Sequence, residues 1–364
     1  WCWRNWSVPS DAIITGDFWS NHETLKNDIN FIKEVVMRLL PEVHKVLKKE
    51  FKVPISIEDF TKLYYAWMFN IIFKIYGNWK MFERNLPDIT SYVFDIKYQE
   101  VVAENLKDSG SMYYYSKWNF YIISEIIREK KINNITIKYV EDEKKIKEKK
   151  IKENNIKNFL SAVYQRVQKW TLLRRFNTKK GWIFYYFTEP GNSYLNMLKN
   201  ETATRLIQLI YSDYKKELKK VKINSIKRES LNLNFNPKNS FEGFISNIFF
   251  KIIPKSLFEG IEVIENYSPS IFLKNPPNYL VYSDFLNNEL LLFYLRNFKK
   301  NKLFVYQHGG GFGYNDYTAT EIVEKFYCHR YLTWGWKNDL LDVPWKKPDN
   351  LAELKVTSNK GRKD

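Results

Sequence analysis

Residues 305–316 read Val-Tyr-Gln-His-Gly-Gly-Gly-Phe-Gly-Tyr-Asn-Asp and hold one of the chain's four histidines and four of its 13 glycines. His308 is the group with chemistry: an imidazole titrating near ~6.5 can take a proton from a hydroxyl nucleophile at neutral pH. Gly309, Gly310, Gly311 and Gly313 leave backbone N–H groups bare, and bare amides at a strand end can hold phosphate oxygens. Gln307 adds a side-chain amide beside the histidine. A plain turn, with glycine serving geometry and His308 capping a carbonyl, is the competing reading. The meeting of Gln, His and several Gly at one strand end favours a site. Esterase, ATPase and dehydrogenase readings are weak because the chain has no GxSxG elbow, GK[ST] loop or proper GxGxxG fingerprint, and without an HExxH or paired-His motif this segment is not expected to build a metal site.

The elements that must position this loop are legible around it. Asn278–Ser283 and Lys302–Gln307 are apolar runs of strand length, and Tyr331–Trp336 is a third. Phe285–Phe298 between the first two, and the stretch from Thr318 or Thr320 before the third, have helical patterns. Strand, helix, strand, helix, strand implies a parallel α/β sheet, in which ligands lie outside the carboxyl ends of the strands. Ser283–Asp284, Gln307–Gly313 and Trp334–Gly335–Trp336 all reach that edge. Trp334 and Trp336 can stack on a sugar or simply pack.

Upstream, Asp11–Thr15 reads as a short strand. Ser20 and Glu23 form a capping box for a long helix whose apolar face is Leu25, Ile29, Ile32, Val36, Leu39, Val43 and Val46. Pro41 is expected to kink or divide that helix. An aromatic-rich helix is expected from Ile57 to Glu83. Its segment Tyr64–Gly77 is too short for a membrane span and carries Asn70 and Lys74, so it reads as a buried helix. Residues 140–157 are charge punctuated by isoleucine and read as a solvated excursion. Helix-rich sequence follows to about Lys222, then a strand-poor, partly helical connection.

The chain has 364 residues, 44% of them hydrophobic, which fits a large globular core. Lys and Arg total 58 against 41 Asp and Glu, leaving +17. Such a surface can meet phosphorylated small molecules or anionic lipid; no nucleic-acid motif accompanies it, so nucleic acid is not an expected partner. Cys2 and Cys328 make no disulfide framework or CxxC pair, which fits a reducing cytoplasmic setting. No metal motif is present.

The stretch from Tyr306 to Trp336 resembles the signature of the LIC-type transferases of bacterial surface-carbohydrate loci. It carries Gln307-His308-Gly309-Gly310, a further glycine (Gly313), two glutamates on the next helix (Glu321, Glu324) and Trp334-Gly335-Trp336. Residues 1–6, the segment of Asp17 and Trp19 before the long helix, and Tyr64–Asn85 resemble the family's opening, its aromatic-plus-acid segment and its Trp-centred helix. His329 stands where the family usually has an acid. The resemblance implies a GT-B-like fold: an acceptor-side Rossmann-type domain over 1–336 with parallel sheet and large helical insertions, and a linker stub over 337–364 toward a second Rossmann domain missing from this chain.

It further implies a glycosyltransferase of surface-polysaccharide assembly, using a nucleotide-sugar as co-substrate, no other cofactor, and a glycan or lipid-linked acceptor. The setting would be cytoplasmic, extending to peripheral contact with the anionic inner face of a membrane. His308 would act as base or hydrogen-bond the donor phosphate. Glu321 or Glu324 would orient the histidine or a basic partner. Two other readings stay open: a polyol-phosphate transferase of the CDP-glycerol type, and a carbohydrate- or membrane-associated binding protein without turnover.

Overall fold

The structure is a computed structural model and describes residues 22–51, 54–83, 89–112, 116–131, 135–140, 182–185, 209–268, 279–283, 285–297, 303–307, 312–313 and 318–344. The fold is mixed α/β, mostly helical, with a small parallel sheet. The expected strand Asp11–Thr15, the Ser20 cap and most of the 140–157 excursion lie outside the described residues.

Two long helices make the foundation. The first, α1 (His22–Glu50), buries Ile29, Ile32, Val36, Leu39 and Val43 along one stripe, with Leu25 and Val46 at its margins, as the periodicity predicts. Of the kink or division expected at Pro41, the division does not occur: the helix runs through the proline. An interior proline costs about 3 kcal/mol. Leu39, Leu40 and Val43 around it are buried, and their burial offsets that cost.

That helix, α2 (Ile57–Met81), starts at Ser56, whose hydroxyl accepts the Asp59 N–H at 3.1 Å. From Phe60 to Trp79 it is buried on several sides, as expected for Tyr64–Gly77. No helix among the described residues is long and apolar enough to cross a membrane.

A first βαβ unit follows: β1 (Ile89–Phe94), then α3 (Leu106–Met112) and α4 (Ser116–Lys130), then β2 (Ile135–Val140), parallel to β1 with Ile89 opposite Ile135. The main sheet has five parallel strands in the order β3 (Trp182–Tyr185), β4 (Tyr279–Tyr282), β5 (Leu303–Tyr306), β6 (Arg330–Thr333) and β7 (Asp342–Pro344). The three predicted strands are thus neighbours in one parallel sheet, with β5 central. Predicted Tyr331–Trp336 starts one residue earlier and stops at Thr333. Gly335, at φ +107°, turns the chain out of the strand.

Between β3 and β4 lie α5 (209–220), α6 (Ser225–Ser230), α7 (Ser240–Ile252) and α8 (Ile261–Tyr267), the partly helical connection the sequence suggests. The helix predicted over Phe285–Phe298 is shorter. As α9 (Glu289–Tyr294) it begins after Asn288, whose side chain accepts the Leu291 N–H at 3.1 Å, and Leu295–Asn297 tightens to a 3-10 turn. The helix after the glycine loop, α10 (Ala319–Tyr327), has Thr318 at its N-cap, though no side-chain cap bond forms. Its seat is α2: Phe326 stacks on Tyr65 at 3.9 Å, and the Ala66 N–H donates to the Tyr327 hydroxyl at 3.1 Å.

The segment read as a linker, 337–364, corrects that reading at its start. Asp342–Pro344 pairs with β6 as the edge strand β7, and Asp342 is buried. Three residues in polar surroundings carry no strand signal; tertiary bonds to Asp342 hold them in the sheet. Residues 345–364 lie outside the described residues.

Candidate functional site

The carboxyl end of β5 is where the loop of interest leaves the sheet. Gln307, the first residue past the strand, is buried, and its backbone N–H donates to the Leu332 carbonyl at 2.9 Å. Its side-chain oxygen accepts from the Trp334 N–H at 2.9 Å and from the Trp336 indole N–H at 2.7 Å, while its Nε2 donates to the Phe312 carbonyl at 3.4 Å. One side chain therefore fastens both ends of the glycine loop to the segment after β6. A buried amide held by three bonds in this way is a clamp. His308, Gly309, Gly310 and Gly311 lie outside the described residues.

Gly313 closes the loop at φ +73°, a backbone conformation that favours glycine. The Trp336 indole covers it: a Cβ at this position would lie 2.6 Å from the indole nitrogen and closer still to two ring carbons. Trp336 is half-buried, so its ring serves first as a lid on Gly313, whereas Trp334 is 52% exposed and its ring is open to solvent.

The two glutamates of α10 separate. Glu321 faces the loop: its Oε2 accepts the Gly313 N–H at 3.0 Å, and its Oε1 meets Lys325 Nζ at 2.8 Å. Glu324 is fully buried and accepts the Tyr331 hydroxyl at 2.8 Å, which are the contacts of a core residue. Ser283, after β4, is buried, and Asp284, Asp17 and Trp19 lie outside the described residues.

Two groups at this edge escaped the sequence reading. Lys325 carries three carboxylate partners, Glu321, Asp339 and Asp342, each at 2.8 Å. Burial alone would lower its pKa, but the bonds to Asp339, Asp342 and Glu321 outweigh burial and hold it above the usual lysine value. The four-residue spacing from Glu321 to Lys325 was the available signal.

Glu289, at the start of α9, is the second. It is wholly buried and accepts the Tyr214 hydroxyl at 2.7 Å and the Tyr211 hydroxyl at 3.3 Å. Burial raises its pKa from 4.5 to about 7, against the lowering effect of those bonds. The folded state thus keeps the proton to higher pH than the unfolded chain, so this group's stabilisation is complete below pH 4.5 and is lost as pH rises through about 7. Unfolding titrations of the native protein and Glu289→Gln are expected to diverge over that window. The native protein should lose, relative to the variant, on the order of 1 kcal/mol per pH unit. Parallel pH profiles would contradict the assignment.

With the geometry in place, the comparison with protein families is decisive at the family level. The model of the LIC12162 family transferases matches residues 1–363. The chain belongs to the LIC12162 transferase family. No curated protein and no solved structure matches it. For a LIC12162 transferase, the Gln307 clamp, the Gly313–Trp336 contact and the Glu321–Lys325 pair are the described parts of one continuous cluster that runs from the carboxyl ends of β5 and β6 to the start of β7.

Proposed function

We propose that this LIC12162 transferase is a glycosyltransferase that moves a sugar from a nucleotide-sugar to a glycan or lipid-linked acceptor, with the reaction at the glycine loop after β5. The observation that carries the reading is the Gln307 clamp. It fixes Gln307 and Phe312 at the carboxyl end of the central parallel strand, the edge where such sheets bind ligands. His308 directly follows the clamped residue in sequence.

In this reading the His308 imidazole takes the proton of the acceptor hydroxyl as its oxygen bonds to the anomeric carbon. The bond from that carbon to the donor's phosphate oxygen breaks, and the nucleotide leaves with the electron pair. Gly309–Gly313 shape the cleft, and the exposed Trp334 ring offers a sugar-stacking face. The sheet is then the acceptor-side half of a GT-B-like enzyme, in which the donor nucleotide is held largely by a second Rossmann-type half. The charge of +17 supports work at the inner face of an anionic membrane.

The test is a donor screen of the native protein with CMP-, UDP-, GDP- and CDP-linked sugars and CDP-glycerol, with a glycan or lipid-linked acceptor. Acceptor-dependent nucleotide release from one sugar donor is expected. Turnover of CDP-glycerol alone, or of no donor, would overturn the reading.

A further inference from the structure

We propose that Lys325 is a positioning residue of this transferase: acting through Glu321, it sets the exit of the glycine loop and couples that loop to the turn before β7. An ammonium has three N–H donors and no acceptor. Here the nitrogen lies 2.8 Å from carboxylates of three different places, Glu321 of its own helix, Asp339 of the turn and Asp342 of β7, and it donates a hydrogen bond to Asp339.

Each side of the ammonium leads onward. Through Glu321, whose other oxygen accepts the Gly313 N–H at 3.0 Å, Lys325 reaches the end of the glycine loop. Through Asp342, whose other oxygen accepts the Asn338 and Asp339 N–H groups at 3.0 Å each, it reaches the turn. Asn338 completes a ring by donating its side-chain amide to the Gly313 carbonyl at 3.4 Å. The Lys325 ammonium also lies 5.2 Å from the centre of the Trp336 ring that covers Gly313.

Without the cation, the buried carboxylates of Glu321 and Asp342 and the half-exposed one of Asp339 would face one another, and their repulsion would open the ring. The repulsion would act on Glu321 as much as on the two aspartates. A lysine that merely pinned the edge strand would not reach Gly313; this one does, in two steps.

The test follows hydrogen exchange resolved to single amides in the native protein, Lys325→Met, Lys325→Arg and Glu321→Ala. Lys325→Met should speed exchange at least tenfold both at Gly313 and at Asn338 and Asp339. Glu321→Ala, which keeps both aspartates on the lysine, should free Gly313 and leave the turn protected. Lys325→Arg should return Gly313 to within about threefold of native. In Lys325→Met the turnover number for the donor found in the screen should fall at least tenfold, with KM within threefold.

Faster exchange at the turn with Gly313 unchanged would reduce Lys325 to a strap for β7 and overturn the proposal. So would native kcat in a variant whose Gly313 is freed. The kinetic arm rests on the glycosyltransferase reading; the exchange arm needs no substrate. If every donor fails, that reading falls, and the Gly313 and turn rates still decide the coupling.

Discussion

His308→Ala is expected to lower turnover by about 100-fold or more, the size of a lost general acid–base contribution. The reason is local. Gln307 is locked by four bonds at the end of β5, so the next residue in the chain starts from a fixed point. His308→Gln separates the two roles open to the side chain. It keeps hydrogen bonding but cannot take a proton near neutral pH, so it stays slow if His308 is the base. Recovery of most activity in Gln would make His308 a ligand of the donor phosphate. Near-native turnover in Ala would return the histidine to the turn.

Gly313→Ala is expected to be the most damaging small substitution at the site. An L-residue at φ +73° is strained, and the added methyl would occupy the place of the Trp336 ring. Left-handed strain and overpacking together cost about 2–4 kcal/mol, and the ring cannot move without giving up its bond to Gln307. Both stability and turnover should therefore fall. Gly335 supplies the internal control. It also has positive φ, at +107°, but a methyl there meets nothing within 4 Å. Gly335→Ala should cost only backbone strain, about 1–2 kcal/mol. Chemical unfolding of the two variants checks the ordering; equal losses would mean that the Trp336 contact is not what makes Gly313 special.

What the sequence made legible follows from how locally each feature is encoded. The strands at β4, β5 and β6 and the helices α1 and α2 are written in apolar spacing that needs no partner to be read. The edge strand β7 is written in no such pattern. It exists because Asp342 closes a local turn on the Asn338 and Asp339 amides and meets Lys325 of α10, a partner that only tertiary packing supplies. The continuity of α1 through Pro41 was hidden for the same reason: the local cost is in the sequence, and the offsetting burial is not.

The site shows the same division. Gln307 and Gly313 stand out by their position at a strand end, but nothing in their spacing shows that Trp336 bonds to the first and covers the second. Glu321 and Glu324, three apart on one helix, looked equivalent. The fold points one at the glycine loop and the other into the core, where it meets Tyr331. Lys325 was one helical turn from Glu321, yet its two aspartate partners come from a segment that reads as linker.

The most direct measurement of the central claim is an exchange footprint of the bound donor on the native protein. If the carboxyl edge of the sheet is where transfer occurs, the donor identified in the screen should slow amide exchange in residues 306–313 and 333–338 and leave the opposite edge unchanged. That opposite edge carries a cavity of about 360 Å³ lined by Ile57, Thr61, Leu295, Leu303, Phe326 and Tyr327, at the amino end of β5. Protection confined to the peptides around this cavity, with the glycine-loop and Trp334–Trp336 segments exchanging as in the free protein, would contradict the account.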